Sequence, residues 1–192
     1  MNACSIFNDH DNGAIHTVAD IESLPEDTRA ELIDGKIVMM APPSRIHQRI
    51  ITELLTTINN HIRAAGKDCE IYAAPFGVYL QNDEYNYVEP DISVICDRSR
   101  LNEEGCHGAP DWIIEIISPS SRRMDSFIKL FKYRAAGVKE YWTVDPDTRL
   151  VNVYIFEGDE GDMAQYSFND TIPVHLCQGL EISFPEITGR ID

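Results

Sequence analysis

Residues 86–123 read NYVEPDISVICDRSRLNEEGCHGAPDWIIEIISPSSRR, and they contain two short apolar runs that each carry one carboxylate. Asp91 opens the first run directly after a proline, and Glu115 interrupts the second between two pairs of isoleucines. A run as apolar as WIIEIIS predicts a strand that is buried on both faces in the middle of a sheet. Because an unpaired buried carboxylate is strongly destabilising, Glu115 needs a cation, a proton or a water-filled cleft beside it.

Asp91 and Glu115 meet at one end of the sheet if their two strands pair. Two carboxylates that lie this close repel each other unless a divalent cation sits between them. Hard oxygen ligands of this kind suit Mg²⁺ or Mn²⁺, which keep several waters of their own. Such a site can activate water and hold a phosphodiester. A structural role is the alternative, in which Arg122 or Lys129 forms buried ion pairs with the two acids.

Three segments have helical patterns. Residues 17–35 predict a short helical region that leads to a turn at Asp34-Gly35. Residues 44–66 predict a long helix that Ser44 caps and Gly66 ends, because the apolar residues between them fall on one stripe. Residues 121–137 predict a further helix, whose expected buried stripe is Met124, Phe127, Ile128, Phe131 and Ala135.

The β-like runs between and after these helices predict a mixed sheet with helices on its faces. Residues 140–145 and 149–156 form a predicted hairpin around a turn at Pro146-Asp147. We therefore expect an α/β (α+β) fold in which a single domain spans residues 17–192. Residues 1–16 are expected to be a flexible N-terminus.

Composition narrows the class of protein. The chain has 192 residues, of which 43% are hydrophobic and 25% charged, as in an ordinary globular domain. No run is apolar enough to span a bilayer and the N-terminus lacks a signal-peptide pattern, so we expect no membrane contact. The net charge of −16 argues against a protein that coats nucleic acid non-specifically. Residues 120–140 reverse that sign, and an anionic ligand is expected to approach there.

The five cysteines are odd in number, scattered and without a CxxC pair. This pattern predicts reduced cysteines and a cytoplasmic location rather than a disulfide framework. The adjacent pair Cys106-His107 lacks the second pair of ligands that a zinc site needs.

Pro90-Asp91, followed by an acid inside a later strand, resembles the PD-(D/E)XK nuclease motif. The usual lysine two residues after the second acid is missing, since Ile117 stands there. Several blocks between Glu31 and Tyr154 resemble, in order, the Uma family of restriction-endonuclease-like proteins. They are ELIDGKIVMMAPPS, the His47-Gln48 pair, PDISVICDRSRL, GAPDWIIEIISPSS and DSFIKLFKYRAAGVKEYWTVDP.

The resemblance implies a restriction-endonuclease-like mixed sheet with β-hairpin additions, and it implies roles for particular residues. Asp91 and Glu115 would be metal ligands, and Glu31 would complete the metal shell. Lys129 would supply the missing catalytic lysine from the following helix, with Lys132 as the alternative. It matches the lysine of the family's D…K…Y pattern, here Asp125, Lys129 and Tyr133.

Each of these roles has a plainer alternative. Asp125 and Lys129 are spaced to form a bridge on a helix surface, and Glu31 could be a solvated helix acid. His47 lies near the edge of an apolar stripe, where a core histidine is usual. We retain His47, Lys132 and Arg122 as candidate contacts of a phosphate or of the metal-binding side chains.

Two functions follow from these residues. The first is a Mg²⁺- or Mn²⁺-dependent endonuclease that hydrolyses phosphodiester bonds of DNA. The second is a catalytically inactive nuclease-fold module that serves binding or assembly, which the missing lysine and the acidic surface favour. Cleavage of two strands needs two active sites, so a homodimer is expected for the first.

Overall fold

The computed structural model describes residues 14–190 except 26, 82, 120, 123 and 157–160. Most of the predicted flexible segment, residues 1–13, lies outside the described residues, and the single domain over residues 17–192 stays a prediction. The helices are α1 (Val18–Glu22), α2 (Arg45–Ala64), α3 (Lys129–Ala136) and α4 (Phe184–Thr188). The strands are β1 (Ala30–Ile33), β2 (Lys36–Met39), β3 (Glu70–Ala73), β4 (Val78–Tyr79), β5 (Ile92–Ile95), β6 (Cys106–His107), β7 (Trp112–Ile116), β8 (Glu140–Asp145), β9 (Leu150–Ile155), β10 (Asp162–Ser167), β11 (Thr171–Pro173) and β12 (Glu181–Ser183).

A six-stranded sheet with the order β10-β9-β8-β7-β5-β3 forms the centre of the fold. Strands β7 and β8 are parallel and the other neighbours are antiparallel, so the sheet is mixed. Every residue of β7 is buried, as predicted for a central strand. The hairpins β1–β2 and β11–β12 lie outside this sheet. The predicted α+β class, a mixed sheet flanked by helices, is confirmed.

The two faces of β7 contact different parts of the core. Trp112, Ile114 and Ile116 join a cluster with the buried residues of α2, whereas Ile113 joins Tyr133 and Tyr141 on the opposite face. Helix α2 begins after Ser44, whose hydroxyl accepts the backbone N–H of residue 47 as the predicted N-cap. Glu115 alternates with Ile114 and Ile116, so its side chain lies on the face of β7 that α3 covers.

The predicted helical region over residues 17–35 is only partly correct. Helix α1 covers Val18–Glu22, but Glu31 lies on β1, which forms a hairpin with β2. Asp34 and Gly35 make the turn with φ values of 51° and 70°, the positive values that a tight two-residue hairpin turn requires. Glu31 therefore comes from a strand, and it is 3% exposed rather than a solvated helix acid.

The predicted buried stripe of the third helix is wrong at Phe127, Phe131 and Ala135, which are all exposed. Phe127 and Phe131 are 63% and 69% exposed, and the inward face instead carries Asp125, Lys129 and Tyr133. A π-helical turn over Met124–Ile128 leads into α3 and shifts the phase of the side chains. These inward polar side chains bind one another and Glu115, and a pattern of apolar residues does not reveal such contacts.

This helix phase predicts a contrast between two alanine substitutions. Phe131→Ala is expected to change the free energy of unfolding by no more than about 0.5 kcal/mol, because the ring is already exposed. Met124→Ala removes a side chain that is 5% exposed, and its expected cost is about 2–5 kcal/mol. Urea denaturation of both variants measures the difference. A larger loss for Phe131→Ala would contradict the observed phase.

The prediction of reduced cysteines is wrong for two of the five. Cys69 and Cys96 form a disulfide, because the antiparallel pairing of β3 with β5 places these positions opposite each other just beyond the strand ends. Cys106 and Cys177 are free and buried, and Cys4 lies outside the described residues. The cytoplasmic location was predicted from reduced cysteines, and the disulfide weakens that basis. The location itself stays a prediction. Within the described part of the chain, no helix is long and apolar enough to cross a membrane.

Candidate active site

Four residues that the sequence analysis assigned to catalysis line one cavity of about 400 Å³. Glu31 comes from β1, Asp91 directly precedes β5, Glu115 lies in β7 and Lys129 begins α3. They therefore reach the cavity from four separate elements. The neighbouring strands β5 and β7 bring Asp91 and Glu115 together at one end of the central sheet, and the hairpin and the helix add Glu31 and Lys129.

Asp91 and Glu115 are locked to each other through the backbone. The register of β5 and β7 pairs Ile92 with Ile114, which places Asp91 next to Glu115. The backbone N–H of Asp91 donates to Glu115 Oε2 at 3.3 Å, and the N–H of Ile116 donates to Asp91 Oδ2 at 2.7 Å. The predicted meeting of the two carboxylates at one sheet end is therefore observed.

Lys129 binds the carboxylates of three acids in the interior. Its Nζ donates to Glu31 Oε1 and Glu115 Oε1, both at 2.9 Å, and lies 3.4 Å from Asp125 Oδ1. Tyr133 Oη also donates to Glu115 Oε1, at 2.8 Å. All five side chains are buried, so the Asp125–Lys129 pair is not the helix-surface bridge of the plainer alternative.

This cluster has three carboxylates and one ammonium, and burial and charge shift the pKa values of several of its groups. Burial raises the pKa of Glu115 well above its usual range, Lys129 opposes the rise and neighbouring carboxylates reinforce it. Burial likewise raises the pKa of Asp125. Burial alone would lower the pKa of Lys129, but attraction to Glu115 and Glu31 outweighs it and raises that pKa well above its ordinary value. Three carboxylates therefore share one ammonium in the interior.

His47 reaches the site from the first turn of α2. Its Nε2 lies 3.2 Å from Asp91 Oδ2, and the side chain is 12% exposed. Its Nδ1 is buried and has no hydrogen-bond partner among the described residues. The prediction that His47 contacts the metal-binding side chains agrees with this position beside Asp91.

Lys132 and Arg122 are not brought to the site. Lys132 forms an ion pair with Asp34 at the β1–β2 turn, and Arg122 forms one with Asp145 at the end of β8. Neither belongs to the described residues that line the cavity. Arg122 is paired with a buried acid and Lys132 with an exposed one, so the basic stretch that they belong to offers less free charge than its composition indicates.

Arg29 and Glu89 were missed by the sequence analysis. Arg29 lines the cavity, and its Nε and Nη2 donate to Glu89 Oε2 at 2.9 and 2.6 Å. The backbone N–H of Glu89 donates in turn to Glu31 Oε1 at 3.0 Å. The available signal was position, because Arg29 is the one base among the first 35 residues and Glu89 directly precedes Pro90-Asp91.

The donor chemistry of the cavity fits a hard divalent cation. Among the described residues, no group of three His, Cys, Asp or Glu side chains is placed to hold a metal ion. Mg²⁺, however, is usually held by one or two carboxylates and keeps several waters. Asp91 and Glu115 supply two such carboxylates side by side in a cavity, which is the donor set that Mg²⁺ or Mn²⁺ takes.

Comparison with known proteins shows which family this chain belongs to. A model of the Uma2 family, described as "Putative restriction endonuclease", matches residues 18–185. An uncharacterized protein of Synechocystis sp. is 30% identical over 133 residues, which cover 69% of this chain and 68% of that protein. The crystal structure described as "a putative nuclease belonging to DUF820" from Anabaena variabilis has a TM-score of 0.73 to this fold at 25% identity. That match covers 90% of this chain and 97% of the Anabaena chain. Because the family model spans most of the residues, this chain belongs to the Uma2 family, as its motifs predicted.

Proposed function

We propose that this protein is a metal-dependent endonuclease that hydrolyses phosphodiester bonds of DNA. The observation that carries the proposal is the convergence of Asp91, Glu115 and Lys129 on one cavity. A pair of carboxylates for a divalent cation and a separate ammonium are the groups that phosphodiester hydrolysis requires. The Uma2 membership and the likeness to the Anabaena protein, described as "a putative nuclease", support the same reaction class.

Asp91 and Glu115 would hold Mg²⁺ or Mn²⁺. When bound, such an ion polarises the phosphoryl oxygen and lowers the pKa of a coordinated water. Asp91 is prepared for this role, because the N–H of Ile116 and the ring of His47 fix its Oδ2. Glu115 must release Lys129 or share its carboxylate with it, since Oε1 already accepts from the lysine and from Tyr133.

Lys129 acts as a cation and not as a proton acceptor. Its pKa lies well above the ordinary value because Glu115 and Glu31 surround it, against the effect of burial. The ammonium therefore orients the attacking water and stabilises negative charge that develops on the phosphoryl group. Glu31 positions this lysine, because its Oε1 accepts from Lys129 and from the Glu89 backbone. These bonds favour positioning over the metal ligation that the resemblance implies for Glu31.

A second candidate function is a binding or assembly module that keeps the nuclease fold without cleavage. Its support is the same Lys129, which neutralises Glu31 and Glu115 in the interior as a structural ion pair would. A homodimer, needed if both strands of DNA are cut, stays a prediction for the first function.

Nicking of supercoiled plasmid in Mg²⁺ or Mn²⁺ distinguishes the two functions. The wild type is expected to nick DNA, and Asp91→Asn is expected to lose the activity because one metal ligand becomes neutral. Asp147→Asn is the matched control, since Asp147 lines the same cavity but is bound to Arg122 on an exposed turn. Wild-type activity no greater than that of Asp91→Asn would support the binding module instead.

Metal binding is expected to stabilise the folded protein independently of cleavage. A ligand that binds only the folded state at about 100 times its dissociation constant adds about 2.7 kcal/mol. Mg²⁺ should therefore raise the melting temperature of the wild type and of Asp147→Asn above that in EDTA, but not that of Asp91→Asn. Equal melting temperatures with and without metal in the wild type would count against the metal site.

A further inference from the structure

A polyanionic substrate needs a cation at the cavity that remains available to it. Arg29 and Lys129 are the Lys and Arg side chains among the described residues that line the cavity. Lys129 is assigned to the phosphate that is cleaved, and with its side chain 5% exposed among three carboxylates it does not reach a second phosphate. The predicted phosphate contacts Lys132 and Arg122 are not among the described residues that line the cavity. Arg29 is left as the accessible cation.

The Arg29 side chain is partly exposed, and its guanidinium is held in place. Its side chain is 36% exposed, whereas that of Glu89 is 11% exposed. Nε and Nη2 each donate one hydrogen to Glu89 Oε2, and Tyr87 Oη donates to Glu89 Oε1 at 3.0 Å. A guanidinium has five N–H donors in a rigid plane, so three remain after the two bonds to Glu89. A planar donor group that is fixed on one edge suits the oxygens of a phosphate.

Glu89, which binds Arg29, belongs to the same segment as Asp91. Glu89 lies two residues before Asp91, and two residues of extended chain span about 7 Å. The backbone of Glu89 also binds Glu31, which holds Lys129. Arg29 is therefore connected through Glu89 to the segment of Asp91 and to the Glu31 that binds Lys129, and Arg29, Asp91 and Lys129 line the same cavity.

We propose that Arg29, fixed by Glu89, binds a backbone phosphate of the nucleic-acid strand beside the phosphate that is cleaved. This subsite rests on the proposed nuclease function, since it is defined relative to Asp91 and Lys129. Glu89 is a positioning residue, which holds the guanidinium without contacting the strand. The subsite reads the phosphate and not the base, so it adds affinity for DNA of any sequence.

Fluorescence anisotropy of a labelled DNA duplex, with Ca²⁺ replacing Mg²⁺, tests the subsite. Arg29→Ala is expected to weaken binding about tenfold or more, the loss of hydrogen bonds to a charged group. The slope of log K against log salt should fall by about one, because one phosphate contact is lost. Arg29→Lys should retain the salt slope but bind more weakly than the wild type, since it keeps the charge and loses the planar fork. Glu89→Gln should weaken binding without a comparable change in the salt slope.

Arg63→Ala is the charge-matched control. Arg63 is exposed near the end of α2, about 24 Å along the helix from His47. It should bind DNA as the wild type does. Melting temperatures identify any variant that fails to fold, and Arg29→Gln replaces Arg29→Ala in that case.

Unchanged affinity and salt slope in the Arg29 variants would overturn the subsite, as would an equal loss in Arg63→Ala or a wild type that does not bind DNA. Plasmid nicking is scored separately, so failure of the two proposals can be told apart. A wild type that binds through Arg29 but does not nick retains the subsite and loses the nuclease. A wild type that nicks while Arg29→Ala binds normally does the reverse.

Discussion

Lys129→Ala is expected to lower the free energy of unfolding by about 3–5 kcal/mol and to abolish metal-dependent nicking. Removing one partner of a buried ion pair leaves uncompensated charge in the interior, and here Glu31, Glu115 and Asp125 all lose the same cation. Since the total stability of a domain is about 5–15 kcal/mol, the loss is a large share of it. Urea denaturation in EDTA measures it without help from metal.

Two controls separate the effect of the lost charge from the effect of placing alanine in the helix. Lys132 lies on the same helix as Lys129, and its partner Asp34 is largely exposed. Lys132→Ala is therefore expected to cost at most about 1 kcal/mol of unfolding free energy. Adding Glu115→Gln to Lys129→Ala should recover part of the lost stability, because one buried acid no longer lacks a cation. A Lys129→Ala protein as stable as the wild type would show that the cluster stays neutral by protonation alone.

The meeting of Asp91 and Glu115 could be predicted because it depends on local rules. The alternation of side chains and the apolarity of WIIEIIS identify β7 as a central strand, and an acid within it requires a partner. Asp91 opens the neighbouring apolar run, so antiparallel pairing brings the two acids together. The motif resemblance then directed attention to Lys129, which the structure places between Glu31 and Glu115.

The phase of α3 could not be predicted from hydrophobicity. An apolar stripe assigns Phe127 and Phe131 to the core, but both are exposed. The face of the helix that points inward is set by polar contacts with Glu115 instead. Lys129 and Tyr133 must reach Glu115, and the π-helical turn before α3 permits that rotation. Long-range polar contacts override the stripe, and no pattern within the helix reports them.

The Arg29–Glu89 pair was missed for a related reason. The two residues lie on separate segments, and charge counting treats Arg29 as an isolated base in an acidic region. Counting also favoured the basic residues 120–140, where Arg122 is paired with Asp145 at the end of β8 and Lys132 with Asp34 in the β1–β2 turn. Free charge at a site depends on which partners the fold supplies, and composition does not give them.

Ile114→Asp and Glu115→Gln are expected to have opposite outcomes although the two positions are adjacent. Ile114 is fully buried on the face of β7 that carries Trp112 and packs toward α2. An aspartate there adds the desolvation of a carboxylate, several kcal/mol by itself, to the lost apolar burial. The sum approaches or exceeds the stability of a typical domain, so the variant should be unfolded.

Glu115→Gln should fold, because the amide oxygen still accepts hydrogen bonds from Lys129 and Tyr133, and Glu31 still pairs with the lysine. The amide nitrogen loses only the 3.3 Å bond from the Asp91 N–H. Ile114→Val controls for packing alone, with an expected cost of about 0.5–1.5 kcal/mol. Circular dichroism melting of the three variants in EDTA measures the contrast. A cooperative transition in Ile114→Asp near that of the wild type would contradict the buried position of β7. Position 115 tolerates a charge because its side chain lies on the face of β7 where Lys129 supplies the balancing cation. The side chain of residue 114 lies on the opposite face, in an apolar cluster, so a charge there has no partner.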